Sequence, residues 1–439
     1  MGDWNWPLRL AVMVATGFCG IQIGFAADLA GAPAPVPSVN WTGFYVGADV
    51  AESFATALYK RPFNTALSDT SIGSINGKLG VGGYGGFNYQ VAPWAVVGIE
   101  ASATWLGASY REQGATLDFL EHANSVYAVT GRAGVLVTPD TLVYGKVGPA
   151  WIDVNGFQGF GDSLNQVLPA AQVGVGIETR VTRNVAVRVD ASYTGATQTL
   201  VINSGSDRYQ PSIMQIQVGA EYNFDAPPGW GVRASPPVAL TPNWTGFEVG
   251  GFVSLNGDQE KYNDTNQGAT GPFARFAVGG GGFVGANYEI AQRYVIGAEV
   301  SGNFDHATFV NAAGTNTFFG PQFDFGTVEH VWAATGRVGW LLSPSSLVYV
   351  KGGAAWIGTT TDFDYWNNIA SSPTGFKTLQ GYQAGLGIET FVTSNVSVRL
   401  EALYTGTNQK ISLNGTLVAN EFTLQPSILS VTTGVAVHF

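Results

Sequence analysis

Along most of the chain, apolar and polar positions alternate with a period of two. From Gln172, the residues Gln172, Gly174, Gly176 and Glu178 share one face, and Val173, Val175 and Ile177 share the other. From Val185 the pattern returns: Val185, Val187, Val189, Ala191 and Tyr193 point one way, Arg188, Asp190 and Ser192 the opposite way. A period of two marks strands rather than helices. Two details separate these strands from those of a soluble sandwich. The apolar face runs for roughly nine to eleven residues, the length a tilted strand needs to cross a bilayer. It often ends in an aromatic, as at Trp105, Trp151, Tyr193, Trp356 and Tyr404. The other face is small and polar, the inverse of a sandwich core. The pattern predicts an all-β protein of transmembrane antiparallel strands whose apolar side meets lipid.

The chain also repeats itself. Residues 176 to 195 match 387 to 406 at 14 of 20 positions. NWTGFYVGADV from Asn40 answers NWTGFEVGGFV from Asn243, and TGRAGVLVTPDTLVYGKVGPAWI from Thr130 answers TGRVGWLLSPSSLVYVKGGAAWI from Thr335. The halves close with PSIMQIQVGAEYNF at Phe224 and PSILSVTTGVAVHF at Phe439. Repeat one therefore spans residues 40–224 and repeat two 243–439. The proline-rich stretches 28–39 and 225–242 suit extended linkers. Each repeat holds about eight strands, with short connections (90–93, 138–140, 181–184) alternating with longer polar ones around 52–77, 106–124, 154–168 and 196–211, as in outer-membrane barrels. Two architectures fit: two transmembrane β-barrels in tandem, or one barrel of about sixteen strands. Each half keeps its own first-strand tryptophan (Trp41, Trp244) and its own closing strand ending in phenylalanine, which favours two barrels.

Composition narrows the class further. Charged residues make up 12%, against roughly 25% in an ordinary soluble domain, so a water-facing surface has little to work with. Lys plus Arg number 20 against 31 acids, which excludes a basic nucleic-acid binder. Beyond the N-terminus no apolar run approaches the roughly 20 residues of a membrane helix. At the N-terminus, Arg9 precedes an apolar stretch from Leu10 to Phe25 and the small residues Ala26 and Ala27. This reads as a signal peptide over residues 1–27, cleaved near Ala26 and Ala27. The single cysteine, Cys19, lies inside it, and Phe18 is too bulky for a lipoprotein site. Thiol chemistry is therefore not expected in the mature protein.

The inward face carries charge at matched positions. Repeat one has Glu100, Arg132, Lys146, Glu178, Arg188 and Asp190; repeat two has Glu299, Arg337, Lys351, Glu389, Arg399 and Glu401, every sign kept. In a barrel of about eight strands, side chains fill the lumen, and buried charges are tolerable when paired and hydrogen-bonded. The alternative is that they line an aqueous channel and set ion selectivity. Other motifs lead nowhere. Gly80-x-Gly82-x-x-Gly85 and Gly280-x-Gly282-x-x-Gly285 match the dinucleotide pattern, which needs a strand, turn and helix; within alternating β-sequence such glycines spare room in a crowded lumen. His122, His306, His330 and His438 are scattered without metal-ligand spacing and read as loop or strand-end residues. Ser192 and Ser212 have no recurring His nearby, so neither catalysis nor a metal or cofactor is expected.

The opening WTGFYVGADV, the GGYGGFNYQ strand, the TGRAGV and LVYGKVGPAW strands and the aromatic closing strand resemble the small porin-like outer membrane immunogenic protein family of alphaproteobacteria, whose barrels are similar to OmpA-type eight-stranded ones. The resemblance covers nearly the whole mature chain, twice; the departure is the tandem duplication. It implies the outer membrane of a Gram-negative cell, with outer-membrane lipids and lipopolysaccharide as surroundings. It also implies that the barrel-assembly machinery reads the terminal aromatics Phe224 and Phe439. The expected role is structural and surface-exposed. A porin for small hydrophilic solutes or ions is the alternative, and an adhesin or haem-binding surface protein a further one.

Overall fold

The computed structural model describes residues 40–439 apart from 61–69, 76–78, 114–117, 159–161, 199, 203–206, 227–228, 232–239, 241, 265–268, 292, 312–322, 362–374 and 414–421. The signal peptide, with Ala26 and Ala27, and the spacer at 28–39 lie outside the described residues. Repeat one forms β1 (Gly43–Lys60), β2 (Thr70–Ile75), β3 (Gly80–Ala92), β4 (Ala95–Gln113), β5 (Asp118–Thr138), β6 (Thr141–Gln158), β7 (Asp162–Arg180), β8 (Val185–Ala196), β9 (Leu200–Ile202) and β10 (Asp207–Asn223). Repeat two forms β11 (Gly246–Asp264), β12 (Ala269–Ile290), β13 (Tyr294–Asn311), β14 (Phe323–Ser343), β15 (Ser346–Thr361), β16 (Gly375–Phe391), β17 (Val396–Thr407), β18 (Ile411–Leu413) and β19 (Phe422–His438).

Every pairing is antiparallel, and each repeat closes on itself. β1 pairs with β3 on one side and β10 on the other, so β1, β3 to β8 and β10 make an eight-stranded barrel. β11 pairs with β12 and β19 and closes the second barrel in the same way. The closing aromatics finish each seam: the Phe224 N–H donates to the Phe44 carbonyl at 2.8 Å, and the Phe439 N–H to the Phe247 carbonyl at 2.9 Å. One sixteen-stranded barrel would require β10 to pair with β11; instead each closing strand returns to its own first strand. The short pieces β2, β9 and β18 prolong hairpins at the end away from the tight turns.

Outside, the exposed aromatics form two belts, the habit of a barrel crossing two membrane interfaces. Phe44, Trp94, Tyr222, Phe224, Phe247 and Phe439 ring the turn end; Trp105, Trp151, Trp332 and Trp356 lie toward the other.

Two expectations need correction. The barrel strands run from 12 to 22 residues, and the segments read as long connections are largely strand: β4 and β5 cover 106–124 except 114–117, and β1 continues to Lys60. Beyond the lipid a strand meets water on both faces, so its pairing persists after its alternation has faded. The second correction concerns the face read as lipid-facing on β8. Val187, Val189 and Ala191 do point out of the lumen, but they are buried against the outer wall of the second barrel. The barrels stand side by side, and toward the long-hairpin end β12 touches β2 at Phe273 and Ile72 and β4 at Thr270 and Gln113.

Candidate functional site: two filled lumens

Each repeat opens with Asn-Trp-Thr, and the local chemistry of these residues shapes one end of each lumen. Asn40 Oδ1 accepts the Thr42 N–H at 2.9 Å, and Asn243 Oδ1 the Thr245 N–H at 3.0 Å, the side-chain turn that asparagine favours. The threonine hydroxyls accept the N–H of Gln90 at 2.9 Å and of Glu289 at 3.0 Å from the neighbouring strand. The tryptophan between them is driven into the barrel mouth, where its indole N–H reaches the carbonyl of a turn proline. Trp41 donates to Pro139 at 3.0 Å and Trp244 to Pro344 at 3.1 Å. Val96, Leu142 and Tyr144 pack around Trp41, and Val295, Leu347 and Tyr349 around Trp244. An apolar plug thus closes the turn end of each barrel. In sequence these tryptophans served only as landmarks of the repeat.

Above each plug lie six of the twelve predicted charges, all buried. In the first barrel Glu100 meets Arg188 Nη1 at 2.6 Å, Lys146 at 3.5 Å and Arg132 at 3.6 Å. Arg132 also bonds Glu178 at 2.7 Å, and Arg188 Nε lies 2.9 Å from Asp190. In the second barrel Glu299 meets Arg399 at 2.7 Å and Lys351 at 2.8 Å, Lys351 meets Glu401 at 2.9 Å, and Arg337 meets Glu389 at 2.9 Å. Tyrosines extend the lattice: Tyr144 Oη donates to Asp190 at 2.6 Å and Tyr349 Oη to Glu401 at 2.7 Å. The central arginines are sandwiched against rings, Arg188 3.2 Å from the Tyr84 centroid and Arg399 3.2 Å from that of Phe283. Glycine makes the space: a Cβ at Gly47 would collide with the Tyr84 ring, and one at Gly250 with Phe283.

Some members of the lattice do not recur between repeats, and so escaped a search for matched charges. Asp49, Arg180 and Glu221 join the first lumen, bringing it among the described residues to five acids and four bases. Glu248 and His438 join the second. Glu248 bonds Arg337 at 2.9 Å, and His438 Nε2 lies 3.0 Å from Glu389 and 2.9 Å from Ser397. His438 is therefore no ordinary strand end. Ser397, His438 and Glu389 bring together the residue types of a hydrolase, but serine and carboxylate meet the same ring nitrogen, so His438 cannot relay a proton from one to the other. Glu248, Glu389 and His438 also place donor atoms within 4.8 Å of one another, a spacing that could hold a metal ion. Arg337 already bonds both carboxylates there and supplies the positive charge.

The glycine motifs dissolve in the structure. Gly82 faces the first lumen over Asp49, whereas Gly280 and Gly282 meet only the backbone of β11. The two matches are one residue out of step and occupy opposite faces. Above the second lattice, between Phe252, Asn303, Gln383 and Thr405, there is room for about one water molecule.

Comparison with known proteins agrees with this architecture. A family model described as outer membrane protein beta-barrel domain matches residues 23–224 and again 232–436. The 31 kDa outer-membrane immunogenic protein of Brucella melitensis biotype 1 is 25% identical over 239 residues, 49% of this chain and 97% of that protein. The 22 kDa outer membrane protein of Rhizobium leguminosarum bv. viciae is 31% identical over 175 residues, 40% of this chain and 69% of that protein. Among solved structures, Ail of Yersinia pestis gives a TM-score of 0.26 at 15% identity over 42% of this chain and 99% of its own. The toluene transporter TodX of Pseudomonas putida gives 0.26 at 9% over 90% of each. Scores at that level say nothing about what this chain does. The double match to the family model does: the chain belongs to the outer membrane protein beta-barrel family, carries its domain twice, and resides in the cell outer membrane.

Proposed function

We propose that the protein is a structural, surface-exposed component of the outer membrane, with two sealed lumens and no catalysis. The observation that carries this reading is the filled cross-section of each barrel, an indole plug followed by a fully buried ionic lattice. A permeating ion would have to part Arg188 from Glu100, or Arg399 from Glu299, inside a space where unpaired charge is costly. With the interior given over to packing, the parts open to the surroundings are the aromatic belts and the long hairpins. The belts suit contact with lipid and lipopolysaccharide, and the hairpins suit presentation to the outside. The relatives' name, outer-membrane immunogenic protein, fits a surface that the outside world meets. The exposed terminal Phe439 fits recognition by the barrel-assembly machinery during insertion.

Conductance of the full chain in a planar bilayer tests the reading. Closed traces with rare small openings are expected. Stable nanosiemens steps would overturn it in favour of a porin.

A further inference from the structure

The wall shared by the two barrels is built from the same residues twice. Thr141 and Ser346 hold equivalent places in the repeats, and their hydroxyl oxygens lie 3.0 Å apart across the interface. Behind them stand another equivalent pair: Thr141 bonds Thr179 at 3.1 Å, and Ser346 bonds Thr390. Farther along, Phe54 of β1 meets Gly257 of β11, again equivalent positions; a Cβ on Gly257 would begin 2.7 Å from the Phe54 ring. Between these ends Ile177 and Ile388, Val189 and Leu400, and Met214 and Leu429 enter one apolar cluster.

Two bodies that touch through the same residues are related by a two-fold axis. Here it passes between Thr141 and Ser346 at the turn end and between Phe54 and Gly257 toward the other. From β6 to β1 that line crosses β7, β8 and β10, the path of a straight stripe over strands that tilt across a barrel. The axis therefore runs along the membrane normal. Burial follows the stripe and not the outward face in general: Val189 is 3% exposed, while outward Val253 is 60% exposed.

From this matched stripe we infer that the two barrels form a permanent pair, a dimer fused into one chain, held by their shared wall and not by residues 225–242. In lipid, association rests on packing and hydrogen bonds, since the tails are as apolar as the wall. Phe54 entering the notch at Gly257 supplies the packing, and the Thr141–Ser346 contact the hydrogen bond. The same feature makes the pair selective. Two first barrels would set Phe54 against Phe54, and two second barrels would leave a gap at Gly257.

The test uses the full chain with a protease site placed in the linker, folded into bilayers, cleaved and extracted in mild detergent. The two fragments are expected to elute together as a 1:1 species; fragments that separate would overturn the inference. Gly257→Phe, which fills the notch from outside the lumen, is expected to part the cleaved fragments while each keeps its heat-modifiable migration. Co-elution undiminished in that variant would overturn the assigned face. Should Gly257→Phe fail to insert, Thr141→Cys with Ser346→Cys in the uncleaved chain decides: near-complete disulfide formation under mild oxidation is expected, and its absence would overturn the pairing.

Discussion

The two lumens hold the same six charges and surround them differently. In the first, Arg188 lies over Tyr84 with Asp49 nearby; in the second, Arg399 lies over Phe283, and Phe252 takes the place of Asp49. A polar pair has been exchanged for an apolar pair. At the turn end, Arg180 stacks 4.4 Å over Trp41, whereas Phe391 packs edge-on to Trp244 at 4.6 Å. Around Arg132 the partners are Tyr45 and Glu178; around Arg337 they are Glu248, Asn287 and Glu389. Asn223 in the first barrel and His438 in the second complete these sets. Filler residues change in groups around the shared charges. The six-charge frame is common to both barrels, and the packing around it is expected to be interchangeable only as a set.

The largest test of that comparison removes a central arginine. Arg188→Ala and Arg399→Ala each remove the arginine shared by two buried carboxylates, which keep only their share of the remaining cations, and are expected to cost about 3–5 kcal/mol, read by urea unfolding in vesicles. The loss should be greater for Arg399, because Phe283, unlike Tyr84, offers the acids no hydroxyl. Equal losses would show that the filler is irrelevant. Next come the plugs: Trp41→Ala and Trp244→Ala are each expected to cost about 3 kcal/mol by the cavity they leave, with more frequent openings in conductance traces.

A smaller effect probes exchange as a set. Glu248→Tyr alone, which restores the first barrel's residue but takes a carboxylate from Arg337 and Asn287, should cost about 1–3 kcal/mol. Adding His438→Asn should recover part of that loss, with a coupling of roughly 0.5–3 kcal/mol in a double-mutant cycle. Purely additive losses would refute grouped exchange.

The smallest expected effect lies outside the lumens, at Asp140 in the β5–β6 turn. Burial holds its carboxyl above the ordinary value, partly offset by hydrogen bonds from Thr138, Ser343 and Thr141. Its folded pKa is raised, so the folded state gains from protonation, and stability falls as pH rises from the ordinary carboxylate range through the raised value. Asp140→Asn should therefore stabilise at neutral pH and lose its advantage in acid. Ser345 stands at the matching place in the second barrel, where Ser345→Ala should show no such pH dependence.

Much of the architecture was legible because parity and recurrence are strict. Alternation around Arg188 and Asp190 identifies the lumen face of β8, and the second copy at Arg399 and Glu401 confirms that those charges are part of the frame. Glu248, His438, Asp49 and Glu221 lack a charged counterpart and were invisible to that comparison, although Glu248 shares its strand parity with Gly250. Alternation also says which side of a strand leaves the lumen but not what it meets. Val189 would read the same against lipid or against Leu400, since both are apolar. The plug was hidden for a different reason: Trp41 acts through a backbone carbonyl about a hundred residues away, at Pro139.

The length of the hairpins has a consequence for reach. β4 contains 19 residues; at about 3.3 Å per residue and a tilt of about 40°, with an apolar band of about 25 Å, it stands clear of the hydrocarbon by roughly 20 Å. On the surface-exposed reading proposed above, a molecule approaching the cell would meet this β-ribbon before it came within range of the fatty acyl chains.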